Sequence, residues 1–211
     1  MKRIGLTPKI TKHSKRDEIQ ESVDINWARL ILQIGAFPVF LFSIFSTDDI
    51  KNLKLDGVIL TGGNDLSVVN QNPLSVIRDN FETMVFDFCL KEKIKILGIC
   101  RGMQFLGYQT GNTPVRLKGH VTKNQEIVIR NGCSFYSVLS QIKKIDSYHD
   151  YGFYKVDDSW EVLARSRDNV IKAMRHKQGD LLAHMWHPER ENSFNCYHTQ
   201  LIINFFEGNN N

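Results

Sequence analysis

Along the first half of the chain, short apolar runs alternate with longer amphipathic stretches. Short apolar runs, IGLT, PVFLF, DGVILTGG and KILGI, are separated by amphipathic stretches near residues 23–34 and 77–91. Strands that alternate with helices in this order predict a parallel sheet. The second amphipathic stretch repeats its apolar residues at steps of three and four: Ile77, Phe81, Met84, Val85 and Phe88. That spacing predicts a helix that buries one face against the sheet.

The pattern changes after Gly111, where strand-like pieces separated by turn residues replace the longer stretches. The pieces are QEIVI, KKIDSYH, WEVLARS, VIKAMRH and DLLAHMW. They predict an antiparallel or mixed extension of the sheet. A closing amphipathic helix is predicted near residues 196–207, followed by a loose polar tail at 208–211. The apolar face of that helix consists of Leu201, Ile202, Phe205 and Phe206.

These elements predict a single α/β domain over residues 1–207. Its architecture is expected to be a three-layer sandwich with a central, mostly parallel sheet and a smaller antiparallel extension. A length of 211 residues suits one domain with a full core. The hydrophobic share of 42% and the charged share of 24% are typical of a globular protein and exclude a disordered chain. The formal net charge of +4 is too small to predict a nucleic-acid partner.

Neither export nor membrane insertion is predicted. The start MKRIGLTPKI turns polar before the apolar core of a signal peptide. The most apolar run, residues 31–45, is interrupted by Gln33, Gly35 and Pro38, which argues against a spanning helix. The cysteines are Cys89, Cys100, Cys133 and Cys196. They lack the short paired spacing of a zinc site or a disulfide framework, so we expect no metal and a cytoplasmic location.

The stretch KILGICRGMQ carries the strongest chemical signal in the chain. An apolar strand leads to Cys100, which lies between Gly98 and Gly102, and a helical pattern follows. Strand, sharp turn and helix predict a nucleophile elbow, and a Cβ two residues before or after the nucleophile would obstruct such a turn. The helix N-terminus favours the thiolate, which is the attacking form of cysteine. The alternative interpretation is a small buried core residue.

A candidate base for this thiol is His187 in MWHPERE, which follows the apolar DLLAHMW strand. Pro188 favours an extended backbone at His187, and residues two apart in an extended segment point the same way. Glu189 is therefore predicted to orient the imidazole as the third member of a triad. The alternative is a histidine that ends a strand for packing reasons. The other histidines without a partner spacing are His13, His120, His176, His184 and His198.

An acyl-transfer site also needs donors for an oxyanion. The pair Gly62 and Gly63 directly follows a predicted strand, where a loop can present a backbone N–H without a side chain in the way. The backbone N–H of Arg101, the residue after the cysteine, is the second candidate donor. Two glycines at the end of a strand also occur for turn geometry alone, so that alternative stays open.

Basic residues cluster near the N-terminus, and they provide a possible phosphate-binding site. The cluster consists of Lys9, Lys12, His13, Lys15 and Arg16. It follows the first predicted strand, and the loop after such a strand opens on the ligand-binding edge of a parallel sheet. A solvated loop with no ligand is the alternative interpretation.

The blocks TGGND, GICRGMQ, DSYH and WHPE, in this order, resemble the class I glutamine amidotransferase superfamily. The segments RDNFE and DINWARLILQIGAFPV, with Arg101 after the cysteine, are most similar to its γ-glutamyl hydrolases. The resemblance extends from residue 1 to about residue 206. It implies a flavodoxin-like α/β fold.

By position, the resemblance implies that Cys100 is the nucleophile, His187 the base and acid, and Glu189 the residue that orients His187. It implies that the backbones of Gly63 and Arg101 hold the oxyanion. The residues implied to contact the γ-glutamyl group are Gly62, Gln104, Ser147, Tyr148 and His149. Gln104 and the backbone around the last three would hold its α-amino and α-carboxylate groups.

The reaction implied by the resemblance is hydrolysis of a γ-glutamyl amide through a γ-glutamyl thioester, without a cofactor or metal. The partner is a small γ-glutamyl substrate, and a nucleotide-linked one is the narrower expectation; no oligomeric state is predicted. Two alternatives remain, a glutaminase subunit that supplies ammonia to a synthetase partner and an inactive binding module with the same fold. The chain departs from the family at Asp150 and Tyr151, at Gly111 and Asn112, and in a short loop after Asp65. All three departures are expected at the substrate mouth.

Overall fold

A nine-stranded sheet forms the centre of the computed structural model, which describes residues 1–191 and 193–209. The strands are β1 (Arg3–Leu6), β2 (Lys9–Lys12), β3 (Ile19–Ser22), β4 (Phe37–Phe40), β5 (Gly57–Leu60), β6 (Lys95–Ile99), β7 (Val115–Arg116), β8 (Val121–Ile129), β9 (Lys144–Tyr148), β10 (Tyr151–Gly152), β11 (Trp160–Ser166), β12 (Ile171–His176) and β13 (Leu181–His184). The α-helices are α1 (Ile25–Gln33), α2 (Thr47–Asn52), α3 (Pro73–Glu92), α4 (Arg101–Gln109), α5 (Tyr136–Leu139) and α6 (Cys196–Glu207).

The large sheet has the strand order β4-β1-β5-β6-β13-β12-β11-β8-β9. The first five strands pair in parallel, whereas β12, β11, β8 and β9 continue the sheet with antiparallel pairs. Strand β13 is late in the chain but pairs in parallel with β6, with His184 opposite Ile99. This register brings the segment after β13 to the edge where β6 ends. The predicted α/β fold with an antiparallel extension is therefore confirmed.

Apolar side chains of the sheet alternate between two buried layers. On β5, Ile59 packs into a layer with α1, α5 and α6, while Val58 and Leu60 pack into a layer with α2, α3 and α4. Successive residues of a strand point to opposite faces, so an unbroken apolar strand supplies both layers. The result is helix, sheet and helix in three layers.

Some predicted elements differ from the observed ones. Helix α3 begins at Pro73, after an Asn72 side chain that accepts from the Leu74 N–H. Its predicted core residue Ile77 is 38% exposed, whereas the neighbouring Arg78 is fully buried. The prediction for Ile77 was wrong because this turn of the helix packs against charged groups rather than apolar ones. The hairpin β2–β3 and helix α2 were not predicted from the hydrophobic pattern.

Charged side chains lie at the contact between α3 and α4. The Glu82 carboxylate is fully buried and accepts from Arg78 Nε at 3.0 Å and from Thr7 Oγ1 at 2.7 Å. Its other oxygen pairs with Arg101, which also pairs with Asp79. Burial by itself raises the pKa of the Glu82 carboxyl, but the two guanidinium groups outweigh burial and lower that pKa below its usual value.

We predict that Glu82→Gln lowers the free energy of unfolding by about 3–5 kcal/mol, because it leaves Arg78 and Arg101 buried without their shared anion. Urea unfolding followed by circular dichroism measures the difference. The matched control is Asp87→Asn on the exposed face of the same helix, where a change of less than about 0.5 kcal/mol is expected. Equal effects of the two substitutions would contradict the structural role assigned to Glu82.

Candidate active site

Cys100 lies between the end of β6 and the start of α4 in a strained backbone conformation. Its φ is 53° and its ψ is −103°, a region that a residue with a Cβ rarely adopts. Its N–H donates to His184 O of the adjacent strand at 2.8 Å. The side chain is buried and not in a disulfide. The structure thus has the strand, sharp turn and helix expected of a nucleophile elbow.

The two glycines beside the elbow allow the backbone to approach closely. A Cβ on Gly98 would lie 2.6 Å from Gly102 O, and a Cβ on Gly102 would lie 2.2 Å from Leu60 O. Real Cβ atoms do not approach backbone oxygens this closely, so any other residue would push α4 away from the sheet. The glycines therefore set how near the first turn of α4 lies to β5 and β6.

His187 follows β13 at the edge of the sheet where Cys100 lies, and the two side chains interact electrostatically. His187 Nδ1 lies 2.6 Å from Glu189 Oε1, and both side chains are buried. The backbone at His187 is extended as expected, with φ −110° and ψ 90°. A 3-10 turn at Pro188–Arg190 follows it, so Glu189 lies in this turn rather than in a continued extended segment.

The electrostatics of this pair favour a charged imidazole. Burial lowers the pKa of His187, but hydrogen bonds to Cys100 and Glu189 and their negative charges outweigh burial and raise the pKa to about 9. An imidazolium held between a thiolate and a carboxylate can pass a proton to a leaving group. The arrangement of Cys100, His187 and Glu189 is therefore suited to nucleophilic acyl transfer.

The Gly62–Gly63 loop packs directly against the His187 ring. A Cβ on Gly62 would lie 2.5 Å from His187 Cε1, and Gly63 has a φ of +121°, which a side chain rarely permits. From behind, Arg78 donates to Thr61 O at 2.6 Å and to Gly62 O at 2.9 Å. The buried charged side chains between α3 and α4 therefore hold the loop in register with the elbow.

All residues assigned to the γ-glutamyl group except Gly62, which lies against His187, come together around the turn between β9 and β10. Gln104 Nε2 donates to Tyr151 O at 2.9 Å, and His149 Nδ1 lies 3.0 Å from the same oxygen. Ser147 is fully buried, whereas the Tyr148 ring is 36% exposed. Tyr148 and His187 line a common cavity of about 250 Å³. The Tyr148 side of this turn therefore faces the open space beside the imidazole.

Sequence reasoning missed a second charged cluster behind this turn. Lys172 Nζ lies 2.9 Å from His120 Nδ1, 2.9 Å from His149 Nε2 and 3.1 Å from Ser147 Oγ. Burial lowers the pKa of Lys172 to about 8, although the charge of Asp168 opposes the shift. The one available signal was a lysine inside the apolar strand VIKAMRH, because a buried lysine interrupts the alternation of a strand.

The basic N-terminal residues lie on and around the hairpin β2–β3. Lys9 packs against Gly63 and lines a cavity of about 150 Å³ together with His187. Lys12 and Arg16 instead form ion pairs within the hairpin, at 2.8 Å with Asp17 and at 3.1 Å with Glu18. Lys15 is exposed in the turn of the hairpin. Lys9 is thus the member of the cluster that the structure brings to the cysteine site.

Two of the three family departures lie at different places in the structure. The backbone oxygen of Tyr151 accepts from Gln104, so this departure is at the γ-glutamyl turn. Gly111 and Asn112 lie beyond the C-terminal end of α4, one helix length from Cys100. Asn112 Nδ2 donates there to Asp157 at 2.7 Å. Helix α4 thus separates these two residues from the elbow, and their place at the substrate mouth stays a prediction.

Two kinds of feature are absent from the described residues. Residues 1–191 and 193–209 contain no group of three His, Cys, Asp or Glu side chains that is arranged to hold a metal ion. The helices of the same residues are too short or too polar to cross a membrane. The predicted tail extends to Asn210 and Asn211, which lie outside the described residues. Gly208 and Asn209 still donate to carbonyls at the end of α6.

Known proteins share the sequence pattern and the fold of this chain. The sequence profile of the Peptidase C26 family matches residues 3–189. A γ-glutamyl-CDP-amidate hydrolase of Campylobacter jejuni is 32% identical over 195 residues, which are 91% of this chain and 92% of that protein. A glutamine-hydrolysing GMP synthase of Lactobacillus delbrueckii is 28% identical and matches 78% of this chain but 30% of that protein. The structure of PurLQS from Thermotoga maritima superimposes with a TM-score of 0.69 at 17% identity, over 98% of both chains, and shows the fold alone.

We predict that Glu189→Gln lowers the pKa of His187 below its value of about 9, because the substitution removes the adjacent negative charge. NMR titration of the imidazole resonances measures the shift. The matched control is Glu191→Gln, which removes a carboxylate that pairs with His198 at 3.1 Å. It should leave the His187 titration in place. An unchanged His187 pKa in Glu189→Gln would contradict the electrostatic role given to Glu189.

Proposed function

Because the chain belongs to the Peptidase C26 family of class I glutamine amidotransferases, we propose that it hydrolyses a γ-glutamyl amide with a Cys-His-Glu triad. The observation that carries this proposal is the strained elbow at Cys100 beside the His187–Glu189 pair. The Peptidase C26 profile and the hydrolase relative support amide hydrolysis. The residue roles are our own assignment from the geometry.

In the first step, the Cys100 thiolate attacks the γ-carbonyl carbon and forms a tetrahedral oxyanion. Backbone N–H groups of Gly63 and Arg101 donate to that oxyanion. His187 then protonates the departing nitrogen as the C–N bond breaks, which leaves a γ-glutamyl thioester on Cys100. Glu189 keeps the imidazolium charged and oriented until this transfer.

In the second step, the neutral His187 takes a proton from water, and the resulting hydroxide attacks the thioester carbonyl. Collapse of the second tetrahedral intermediate breaks the C–S bond, and glutamate leaves. The thiolate and the imidazolium are restored together, so the cycle needs no redox partner. This chemistry needs reduced thiols, so we place the reaction in the cytoplasm.

The narrower substrate that we propose is γ-glutamyl-CDP-amidate, which would give CDP-amidate (cytidine diphosphoramidate) and glutamate in the biosynthesis of a capsular phosphoramidate. The support is the 32% identity to the hydrolase of that name over 91% of this chain. Lys9 and Arg190 line the cavity of about 150 Å³ beside His187. Two cations at that position suit the diphosphate of a nucleotide-linked leaving group.

A second candidate is a glutaminase subunit that supplies ammonia to a synthetase partner. The observation that favours it is the match to 30% of a glutamine-hydrolysing GMP synthase. The same triad would act on glutamine, and the partner would switch the turnover on. A third candidate, an inactive binding module, is disfavoured because Cys100, His187 and Glu189 are all present and adjoining.

The deciding experiment is a screen of γ-glutamyl amides, including γ-glutamyl-CDP-amidate and glutamine, for glutamate release by the isolated protein. We expect turnover of a γ-glutamyl amide with poor glutaminase activity. Cys100→Ala should reduce the rate by about 10⁴-fold or more while the fold is retained. The matched control Cys196→Ala removes an exposed free cysteine and should keep the rate.

Mass spectrometry of acid-quenched protein should detect the γ-glutamyl group on Cys100. Continued turnover by Cys100→Ala would contradict the mechanism. Glutamine turnover that appears only with a synthetase partner would support the second candidate instead. Absence of turnover with every amide, together with retained ligand binding, would support the binding module.

A further inference from the structure

The buried lysine behind the γ-glutamyl turn has no part in the chemistry described so far. Lys172 is 0% exposed, and its Nζ has three neighbours at hydrogen-bond distance, His120 Nδ1, His149 Nε2 and Ser147 Oγ. An ammonium group has three protons and no lone pair, so three acceptors satisfy it completely. Lys172 is therefore fixed in place and has no proton left for a ligand.

The surrounding hydrogen bonds identify which groups carry charge. His149 Nδ1 donates to Tyr151 O, so its Nε2 accepts from Lys172 and the ring is neutral. Burial and the charge of Lys172 lower the pKa of His149 to about 3, in agreement with a neutral ring. His120 Nε2 donates to Asp168 Oδ2 at 3.0 Å, so its Nδ1 also accepts from the ammonium. The cation of the cluster is Lys172.

Two groups of opposite charge act on Lys172, Asp168 and Cys100. Asp168 is the carboxylate of the described residues that contacts this cluster, and it contacts His120 rather than Lys172. The Asp168 side chain is 56% exposed, so water screens its charge. Lys172 by contrast is buried against Ser147 and His149. The buried ammonium therefore adds positive potential at Ser147 and His149, whereas Asp150 of the same turn is exposed and its charge is screened by water.

Strand register places this charge close to the nucleophile. Met185 N donates to Lys172 O, and Cys100 N donates to His184 O. Lys172 thus lies in the same row of the sheet as Cys100, with β13 between them. At about 4.8 Å between neighbouring strands, the two backbones are separated by roughly 10 Å. The titratable groups that face Lys172 from other elements are Asp168, His120, His149 and Cys100.

From this placement we infer that Lys172 is a specificity-determining residue whose fixed positive charge selects γ-glutamyl ligands by their α-carboxylate. The inference rests on the proposed function, because it concerns the ligand of the same site. Lys172 acts without touching the carboxylate. It holds Ser147 and His149, and it gives the segment that carries them the sign of potential that an anion needs.

A neutral residue at this position would keep the amide donors of the segment but lose the attraction for an anion. An α-amino acid amide and the matching amine amide without the carboxylate would then bind with similar affinity. This charge also explains why a cation is buried here at all, since desolvating an ammonium group is costly and an apolar side chain would fill the same space.

The test compares two ligands that differ only in the α-carboxylate, L-glutamine and 4-aminobutyramide. Their dissociation constants are measured by NMR titration with the Cys100→Ala protein, which binds without turnover. We expect the parent to prefer L-glutamine. Adding Lys172→Met should reduce that preference about tenfold, the effect of one charge acting across several ångströms of partly buried space. Lys172→Arg should keep most of the preference because it keeps the charge.

Lys177→Met is the matched control, since Lys177 is an exposed lysine just after β12. It should leave the preference unchanged. If Lys172 has only a structural role, Lys172→Met should weaken the binding of both ligands equally and leave the ratio of their dissociation constants unchanged. That result would overturn the inference. Failure of the parent to bind L-glutamine at all would contradict the proposed function as well, so the two failures are distinguishable.

A second measurement needs no neutral side chain at position 172 and covers the case in which Lys172→Met does not fold. Lys172 has a pKa of about 8, so it is charged below that pH and neutral above it. The preference of the parent for L-glutamine should therefore decline between about pH 7 and about pH 9, and Lys172→Arg should abolish this decline. A preference that declines equally in the parent and in Lys172→Arg would overturn the inference.

Discussion

The site depends on one buried carboxylate, Glu82, held between the guanidinium groups of Arg78 and Arg101. Through Arg101 it fixes the first turn of the elbow helix, and through Arg78 it fixes the carbonyls of the Thr61–Gly62 loop. The loop follows β5 and the elbow follows β6. Their relative position must be fixed if backbone N–H groups from both are to donate to the same oxyanion. A shared anion couples their positions more tightly than apolar packing would, because each guanidinium has a preferred direction toward the carboxylate.

Two buried basic groups of the same site have pKa values that are shifted in opposite directions. His187 is buried between Cys100 and Glu189, and its pKa rises to about 9 because anionic partners outweigh desolvation. Lys172 is buried among neutral acceptors, and its pKa falls to about 8 because these acceptors do not outweigh desolvation. The imidazole is therefore kept charged for proton transfer, while the ammonium is a fixed source of positive potential. The partners, rather than the depth of burial, decide the direction of each shift.

Close backbone approach is the second constraint, and it explains which residues tolerate no side chain. Gly98 and Gly102 let α4 begin against β5 and β6, and Gly62 leaves room for the His187 ring. The strained φ of 53° at Cys100 persists because the strand before it and the helix after it are both held by packing. Close packing of the backbone thus explains both the strained conformation of Cys100 and the need for a glycine at position 62, beside the His187 ring.

The sequence by itself determined the strand and helix alternation, the elbow at Cys100 and the pairing of His187 with Glu189, because each of these depends on residues that are close in the chain. Periodicity could not reveal that Arg78 faces inward while Ile77 does not, since Arg78 donates to Gly62 O and Thr61 O, which are 16 and 17 residues away. Only the tertiary structure decided that Lys172, His120, His149 and Asp168 form one cluster. Such partners are joined by sheet register, and hydrogen bonds between distant segments leave no spacing in the sequence.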